Sequence, residues 1–395
     1  MRKMQLATAV LLAVGLLAVG GCVELTGQRI AWFYDTAADE LQVLIHYDGI
    51  HDSGGDQHGK GADQIPEFVA AGDVMVLDWP FRFQMADARA KLEDENADPR
   101  EKAWAGLVAS IKTQTVGYYR EPDGRVGAAQ LLTIPKATDF VRRLNALIDR
   151  EIQNAGTTGG GSRARTWQRV REAAQNGHEW VRLDGQAIRV TIPVHAGEWA
   201  ATKAEFLEDT AQHVAKSLAD DAKPEQRRGI AFAIQALSTA PLSYVDEGEQ
   251  VQFVLGSPKK PSTLRISIRD EYEPSLETVV AESVKTDLDG RLADVLLEEN
   301  AKPSGPLAAV LNWGPPEEQV RALVAAAESG DSARQAAAMK RLEAWGAKWN
   351  RERGVPEAIE TTANRDEALA AWRAWYETMR PDTAPRHNEA EKPDE

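Results

Sequence analysis

The sequence is poor in cysteine: among its 395 residues there is one, Cys22. A single cysteine excludes an intrachain disulfide. Basic residues are also scarce, with 46 lysines and arginines against 61 acids and a formal net charge of -15. This balance argues against a nucleic-acid partner, because proteins that bind nucleic acids present basic faces.

Long hydrophobic runs are equally scarce. After residue 22, no segment approaches the roughly 20 apolar residues that cross a bilayer. With 43% apolar and 27% charged residues, the composition is that of a globular protein and excludes collagen-like and wholly disordered classes. At roughly 100 to 200 residues per domain, the length predicts two units or one large one.

The N-terminus has the layout of an export signal. Arg2 and Lys3 precede an apolar run over residues 6–19, which is too short to span a bilayer comfortably. The run leads into Val-Gly-Gly-Cys at residues 19–22, which resembles the lipobox of bacterial lipoproteins. The resemblance covers residues 1–22 only. It implies cleavage before the cysteine, which then becomes the N-terminus and carries a thioether-linked diacylglycerol.

The resemblance also implies a location. Residues 1–21 are the expected signal peptide, and residues 22–28 the expected lipid anchor and tether. Acyl chains contribute about 0.8 kcal/mol per buried methylene, so several of them hold a protein on a membrane. Val23 stands where the family's sorting rules place an inner-membrane aspartate, which favours the outer membrane. Because the rest of the chain is acidic, we expect the body to stand off anionic headgroups.

Strand and helix patterns alternate along most of the chain. Strands are predicted over residues 30–35 and 41–47, joined by a hairpin turn, and the period-two alternation in the second indicates a partly buried sheet. Residues 74–77 predict a further strand, and residues 101–112 and 136–152 predict helices. We therefore predict an α+β fold, in which antiparallel β-hairpins alternate with helices and a C-terminal helical region follows.

A recurrent unit is visible in the middle of the chain: a strand, an Asp-Gly turn, a strand that ends in Thr-Ile-Pro, and a helix. The turns fall at residues 123–124 and 184–185, and the second helix is predicted over residues 197–219. Residues 242–286 are a looser third candidate. Two interpretations stay open, a true duplication and a chance likeness between common hairpin–helix units.

The C-terminal part is alanine-rich. We predict an α+β domain over residues 29–302, a helical region over residues 307–380 and a disordered acidic tail over residues 381–395. The helical region holds five of the 11 tryptophans: Trp313, Trp345, Trp349, Trp372 and Trp375. Large aromatic residues at helical spacing favour a hydrophobic core over a ligand platform.

Histidine and aspartate are concentrated in one short segment, which begins in a predicted strand and continues into a glycine-rich loop. The candidate metal ligands in this segment are His46, Asp48, His51, Asp52, Asp56 and His58. Imidazoles and carboxylates together are the ligands of zinc and other divalent ions. The spacing matches no established metal motif, and a solvated polar loop explains the same composition. A metal site is therefore one hypothesis, and we assign no cofactor.

A basic patch lies within the otherwise acidic chain, and its candidate binding residues are Arg163, Arg165 and Arg169. Such a patch suits an anion, for example a lipopolysaccharide phosphate or a peptide carboxylate. The alternative is a solvated helix face that pairs with nearby glutamates.

The function hypotheses fall into three classes. The first is a non-enzymatic envelope lipoprotein, held on a membrane by its N-terminal lipid, that binds an envelope protein or a glycan. The second is a metal-dependent exported hydrolase that uses the segment over residues 46–58. The third is a small-ligand carrier, which requires an apolar cavity between the helices. Acylation of Cys22 excludes cysteine catalysis, and no nucleophile-elbow motif is present.

Overall fold

The computed structural model describes residues 23–52, 72–75, 82–122, 124–154, 162–195, 243–246, 250–267, 287–298, 301–353 and 364–379. The predicted signal peptide with Cys22, the helix predicted over residues 197–219 and the tail predicted over residues 381–395 lie outside the described residues. None of the helices in the described ranges is long and apolar enough to cross a membrane.

The predicted α+β class is confirmed, and every pairing between described strands is antiparallel. The strands are β1 (Val23–Glu24), β2 (Gly27–Asp35), β3 (Glu40–Asp48), β4 (His51–Asp52), β5 (Val74–Met75), β6 (Arg82–Phe83), β7 (Lys112–Arg120), β8 (Val126–Pro135), β9 (Val181–Asp184), β10 (Ala187–Ile192), β11 (Ser243–Asp246), β12 (Val251–Leu255) and β13 (Ser262–Ser267). The helices are α1 (Met85–Glu93), α2 (Pro99–Val108), α3 (Ala137–Asn154), α4 (Ser162–Gln175), α5 (Leu288–Leu297), α6 (Pro306–Asn312), α7 (Pro316–Ala327), α8 (Ser332–Arg353) and α9 (Arg365–Thr378).

A five-stranded sheet in the order β13-β2-β3-β8-β7 forms the centre of the fold. The predicted hairpin turn joins β2 to β3, and the pairing runs without interruption from Asp35 opposite Glu40 to Gly27 opposite Asp48. On the other side of β2 lies β13, with Ser262 opposite Trp32. Strand β2 is therefore an interior strand of the sheet.

The second sheet has four strands in the order β11-β12-β10-β9. It meets one face of the central sheet, together with helix α3, in a cluster that includes Trp32, Leu41 and Ile134. The indole nitrogen of Trp32 donates to the carbonyl of Gln186 at 2.7 Å. Hydrophobic burial and this hydrogen bond hold the two sheets together.

The C-terminal helices cover the opposite face of the central sheet. Sheet residues such as Leu44 and Leu131 share one hydrophobic cluster with Leu323 of α7 and Trp372 of α9. The alternating pattern of β3 predicts a partly buried sheet, but both faces of its C-terminal half are buried. The reason is that helices, rather than solvent, lie against the face that carries the polar residues.

The hairpins of the recurrent unit are present, but they belong to different sheets. The first hairpin, β7–β8, lies in the central sheet, whereas β9–β10 lies in the four-stranded sheet. The strands of the looser third candidate are divided, with β12 in the smaller sheet and β13 in the larger one. These placements leave the question of a duplication open.

Two element boundaries differ from the sequence prediction. Helix α2 runs from Pro99 to Val108 rather than over residues 101–112. It begins earlier because the Asp98 side chain caps it by accepting from the Arg100 amide at 2.7 Å. Residues 23–28, expected to be part of a tether, are folded: β1 pairs with β4, and Leu25 and Thr26 are buried. Folded structure is therefore present in the segment directly after the predicted lipid-bearing cysteine.

Candidate functional site

Two of the predicted metal ligands, His46 and Asp48, lie at the end of β3 and are fully buried. They are two positions apart on a strand, so their side chains share one face, the face that the helices cover. His51 and Asp52 form β4 and pair with Glu24 and Val23. Asp56 and His58 lie outside the described residues.

Across the described ranges, no group of three or more histidine, cysteine, aspartate or glutamate side chains is arranged to hold a metal ion. The six-residue metal site therefore stays a prediction. The structure instead places His46 and Asp48 within a set of buried ionisable side chains between the sheet and the helices. We call this set the buried network, and its members are Arg29, His46, Asp48, Tyr119, Asp289, Glu317, Glu318 and Arg321.

Arg29 lies at the centre of the buried network, on β2 directly opposite His46. Its Nε donates to Asp48 Oδ2 at 2.9 Å, and its Nη2 donates to Asp48 Oδ1 at 2.5 Å. This bidentate geometry is the strong form of an arginine–carboxylate pair. The remaining nitrogen, Nη1, donates to Glu318 Oε1. One guanidinium therefore joins two strands of the sheet to helix α7.

Two adjacent glutamates, Glu317 and Glu318, lie in the first turn of α7, where the helix dipole favours negative charge. Glu318 Oε2 lies 2.6 Å from Arg321 Nη2 and 3.3 Å from His46 Nε2. Glu317 Oε1 accepts from Arg265 Nη2 of β13 at 2.9 Å. The start of α7 is thereby fixed to three strands of the sheet.

Tyr119 of β7 links the two arginines of the network. Its hydroxyl donates to Asp48 Oδ1 at 2.5 Å and accepts from Arg29 Nη2 at 3.2 Å. The Arg321 guanidinium carbon lies 3.6 Å from the centre of the Tyr119 ring, a cation–π geometry that is stronger where water is excluded. The ring therefore supports one arginine and its hydroxyl orients the other.

The pKa directions follow from this pairing. Burial acts to raise the pKa values of Asp48 and Glu318, but the neighbouring arginines outweigh it and hold both pKa values below their usual range. Burial acts to lower the pKa of Arg29, and the two carboxylates reverse that effect. Asp289 behaves differently: burial raises its pKa to about 6 despite the nearby Arg321.

The inner part of the network is shielded from solvent. The side chains of Arg29, Glu317 and Glu318 are 0% exposed. Charges removed from water in this way are tolerated when each has a partner, and loss of one partner leaves the other uncompensated. The inner network therefore acts as a joint between the sheet and the helices.

The outer end of the network borders a cleft of about 530 Å³. Its walls are the β7–β8 turn, the start of α5, the end of α7 and the start of α8. The charged side chains that line it are Arg120, Glu121, Asp287, Asp289, Arg321, Glu328 and Arg334. We call this feature the α5–α7 cleft. Arg321 and Asp289 belong to both the cleft and the network, so the cleft is where the buried charges come closest to solvent.

The predicted basic patch lies on α4. Arg169 is half-buried and engaged with the rest of the protein, and the side chains of Arg163 and Arg165 lie outside the described residues. The anion-binding role of this patch stays a prediction.

Sequence patterns alone do not identify Arg29, Glu317, Glu318 and Arg321 as a set. One signal was available: after its acidic first turn, helix α7 is apolar apart from Arg321, and a helix that is apolar on every side is buried. A charged residue in a buried helix requires a charged partner. The identity of that partner depends on tertiary contacts.

Comparisons with protein families, curated proteins and solved structures found no match to this chain. The functional assignment therefore depends on the residues and geometry described above.

Proposed function

We propose that this chain is a lipid-anchored lipoprotein of the cell envelope whose folded body binds a partner and does not catalyse a reaction. The likeness of residues 19–22 to a lipobox supports the anchor, and every described strand and helix lies after Cys22. Cleavage before Cys22 therefore removes none of the described strands or helices.

The pairing within the buried network is the observation that favours a binding role over a catalytic one. Arg29 is bonded to Asp48 and Glu318, and Arg321 to Glu318 and Asp289. Catalytic groups must reach a substrate, whereas these groups are directed at one another. Their arrangement suits a rigid scaffold that presents its outer surface to a partner.

The anchor holds the body at a membrane surface. Because β1 follows Cys22 directly, the acylated residue is adjacent to the folded body, with no spacer of the kind expected for residues 22–28. The residue after the cysteine favours the outer membrane, and the partner is an envelope protein or glycan. The lipid then orients the body relative to the bilayer as well as retaining it there.

Metabolic labelling tests the anchor. Labelled palmitate should enter the wild-type protein and should not enter Cys22→Ser, and the wild type should partition with membranes. Equal labelling of both proteins would overturn the lipoprotein assignment.

Metal analysis of purified residues 23–395, which lack the lipidated cysteine, tests the non-catalytic assignment. We expect no stoichiometric metal after dialysis and after reconstitution with zinc or manganese. One equivalent of either metal, lost in a His51→Ala/His58→Ala variant, would instead support the metal-dependent hydrolase.

A further inference from the structure

One long β-hairpin leads from the residue after the predicted lipid-bearing cysteine to the far end of the central sheet. Strands β1 and β4 pair with Val23 opposite Asp52. The same register continues through β2 and β3, as far as Asp35 opposite Glu40. A backbone hydrogen bond from the Thr26 amide joins the two stretches of pairing. Strand β1 therefore continues the line of β2 beyond one end of the sheet.

The hairpin has a fixed direction relative to Cys22. This cysteine immediately precedes Val23, at the open end of the hairpin, and the turn over residues 36–39 closes the opposite end. A strand advances about 3.3 Å per residue, so residues 23–35 place the turn roughly 40 Å from the open end. We call the open end the anchor end of the body and the closed end the turn end.

The β7–β8 turn also lies at the anchor end. The Ile50 amide, between β3 and β4, donates to the Val126 carbonyl at 2.8 Å. Val126 begins β8 and is paired with Arg120, the last residue of β7. Tyr118 of β7 bridges to Asp287, which caps α5. The anchor end therefore comprises the β1–β4 pair, the β7–β8 turn and the start of α5, and the α5–α7 cleft lies beside them.

The pairing of β1 alters the expected position of the body relative to the bilayer. On a flexible tether, an acidic chain would stand off anionic headgroups. Leu25 and Thr26 are instead buried, and β1 is paired with β4, so this segment cannot extend as a tether without losing those contacts. Several acyl chains, at about 0.8 kcal/mol per buried methylene, hold Cys22 in the membrane. The lipid therefore brings the anchor end to the bilayer surface.

We propose that the body contacts phospholipid headgroups through its anchor end and that its turn end is directed away from the membrane. This inference rests on the proposed lipid anchor, and it specifies which surface of the body meets the bilayer. The β7–β8 turn and the start of α5 then lie against the headgroup layer. The exposed turn residues Thr36, Ala37 and Ala38 are the part of the hairpin furthest from it.

Fluorescence energy transfer to labelled headgroups tests the proposal. The full-length lipidated protein is reconstituted into phosphatidylcholine vesicles that contain a headgroup-labelled acceptor lipid, and a donor dye is attached to one introduced cysteine. Cys22 is the only native cysteine, so its acylation leaves the introduced thiol as the single reactive one. Only protein that floats with the vesicles is measured.

Three exposed positions report the height above the bilayer: Arg120→Cys at the anchor end, Gln114→Cys on the same strand, and Ala37→Cys at the turn end. Successive strand pairings place Gln114 level with Ala31, in the middle of β2. Because the outer two positions are roughly 30 Å apart along the strand direction, we expect transfer to fall by about half or more from Arg120→Cys to Ala37→Cys. Gln114→Cys should be intermediate. Equal transfer from all three positions, or the highest transfer from Gln114→Cys or Ala37→Cys, would overturn the proposal.

A spacer variant is the matched control. Ten glycine and serine residues inserted between Cys22 and Val23 form a flexible linker with a root-mean-square length of roughly 18 Å. The body can then leave the bilayer surface and rotate, so transfer from Arg120→Cys should decrease and the differences between the three positions should shrink. Unchanged transfer would contradict the short connection as the cause of the contact.

Folding and anchoring are measured separately from orientation. Circular dichroism checks each cysteine variant, and if Arg120→Cys does not fold, Pro122→Cys on the same turn replaces it. Flotation and palmitate labelling report the anchor, whereas the order of transfer reports the orientation. Protein that floats but shows the wrong order overturns the orientation and leaves the lipoprotein assignment intact. Protein that neither floats nor takes up palmitate overturns both.

Discussion

The guanidinium of Arg29 contacts the carboxylate of Glu318, a residue 289 positions later in the sequence. Arg29 belongs to the central sheet and Glu318 to the first turn of α7, and neither side chain is exposed to solvent. This contact joins the α+β part of the chain to the C-terminal helices at their common core. The two predicted regions are therefore energetically coupled.

Replacement of Arg29 by alanine should destabilise the whole protein. The substitution leaves Asp48 and Glu318 as buried carboxylates without their main cation, and breaking a buried ion pair in this way costs about 3–5 kcal/mol. Urea unfolding measures the loss. Arg142→Ala is the control, since the Arg142–Asp139 pair is 72% and 45% exposed and its loss should change stability by no more than about 0.5 kcal/mol. A similar small effect for both variants would contradict a structural role for the network.

Gly127 should not tolerate a side chain. A Cβ at this position would lie 2.2 Å from the ring of Tyr119 on the neighbouring strand, so the ring and its hydrogen bond to Asp48 would have to move. We expect Gly127→Ala to lower the free energy of unfolding by about 1–3 kcal/mol. Gly330→Ala is the matched control, because nothing lies within 4 Å of its Cβ position. Thermal unfolding measures the stability of both variants. An equal loss of stability in Gly127→Ala and Gly330→Ala would contradict this account.

Asp289 should make stability depend on pH. Its folded pKa of about 6 exceeds the ordinary value of 3.8, so the folded state holds a proton that the unfolded state releases. The stabilisation of the folded state by this group is therefore fully present below the unfolded pKa and is lost as pH rises through about 6. We expect the stability of the wild type relative to Asp289→Asn to fall by up to about 3 kcal/mol between about pH 4 and pH 7. Urea unfolding of both proteins across this range is the measurement. A wild type that gained stability relative to Asp289→Asn as pH rises would contradict the prediction.

Trp372 should contribute to stability as a core residue. It is 1% exposed and lies edge-on to Trp375, with ring centres 5.9 Å apart. Truncation of a buried tryptophan to alanine typically costs about 3–5 kcal/mol. Leu92→Ala, at a side chain that is 42% exposed, should cost far less. A soluble and equally stable Trp372→Ala protein would return the tryptophans to the ligand-platform interpretation.

Local patterns were sufficient for much of the fold. The period-two alternation of residues 41–47 and the turn before it predict β3 and its hairpin, and the spacing of apolar residues predicts the helix that carries Trp372 and Trp375. Asn364 is the N-cap of the last helix, α9, and its side chain accepts from the Asp366 amide at 3.0 Å. Each of these features depends on residues that are close together in sequence.

The buried network was beyond such patterns for a physical reason. The sequence around Glu317 and Glu318 is typical of an exposed, acidic first turn, and His46 and Asp48 equally suit a polar loop. Their burial depends on partners that come from distant strands and helices. Local sequence records the charge of each residue, whereas the fold determines which charges meet.

The position of β2 also has a consequence for the order of folding. One neighbour, β3, follows after a tight turn, but the other, β13, begins at Ser262. Because the chain is synthesised from its N-terminus, β2 can form a hairpin with β3 early. The other edge of β2 and the Arg29 guanidinium then have no partner until β13 and Glu318 have been synthesised. Such long-range closure slows folding and leaves a strand edge open to other chains. The nascent protein therefore needs protection from aggregation until the last third of the chain has been synthesised.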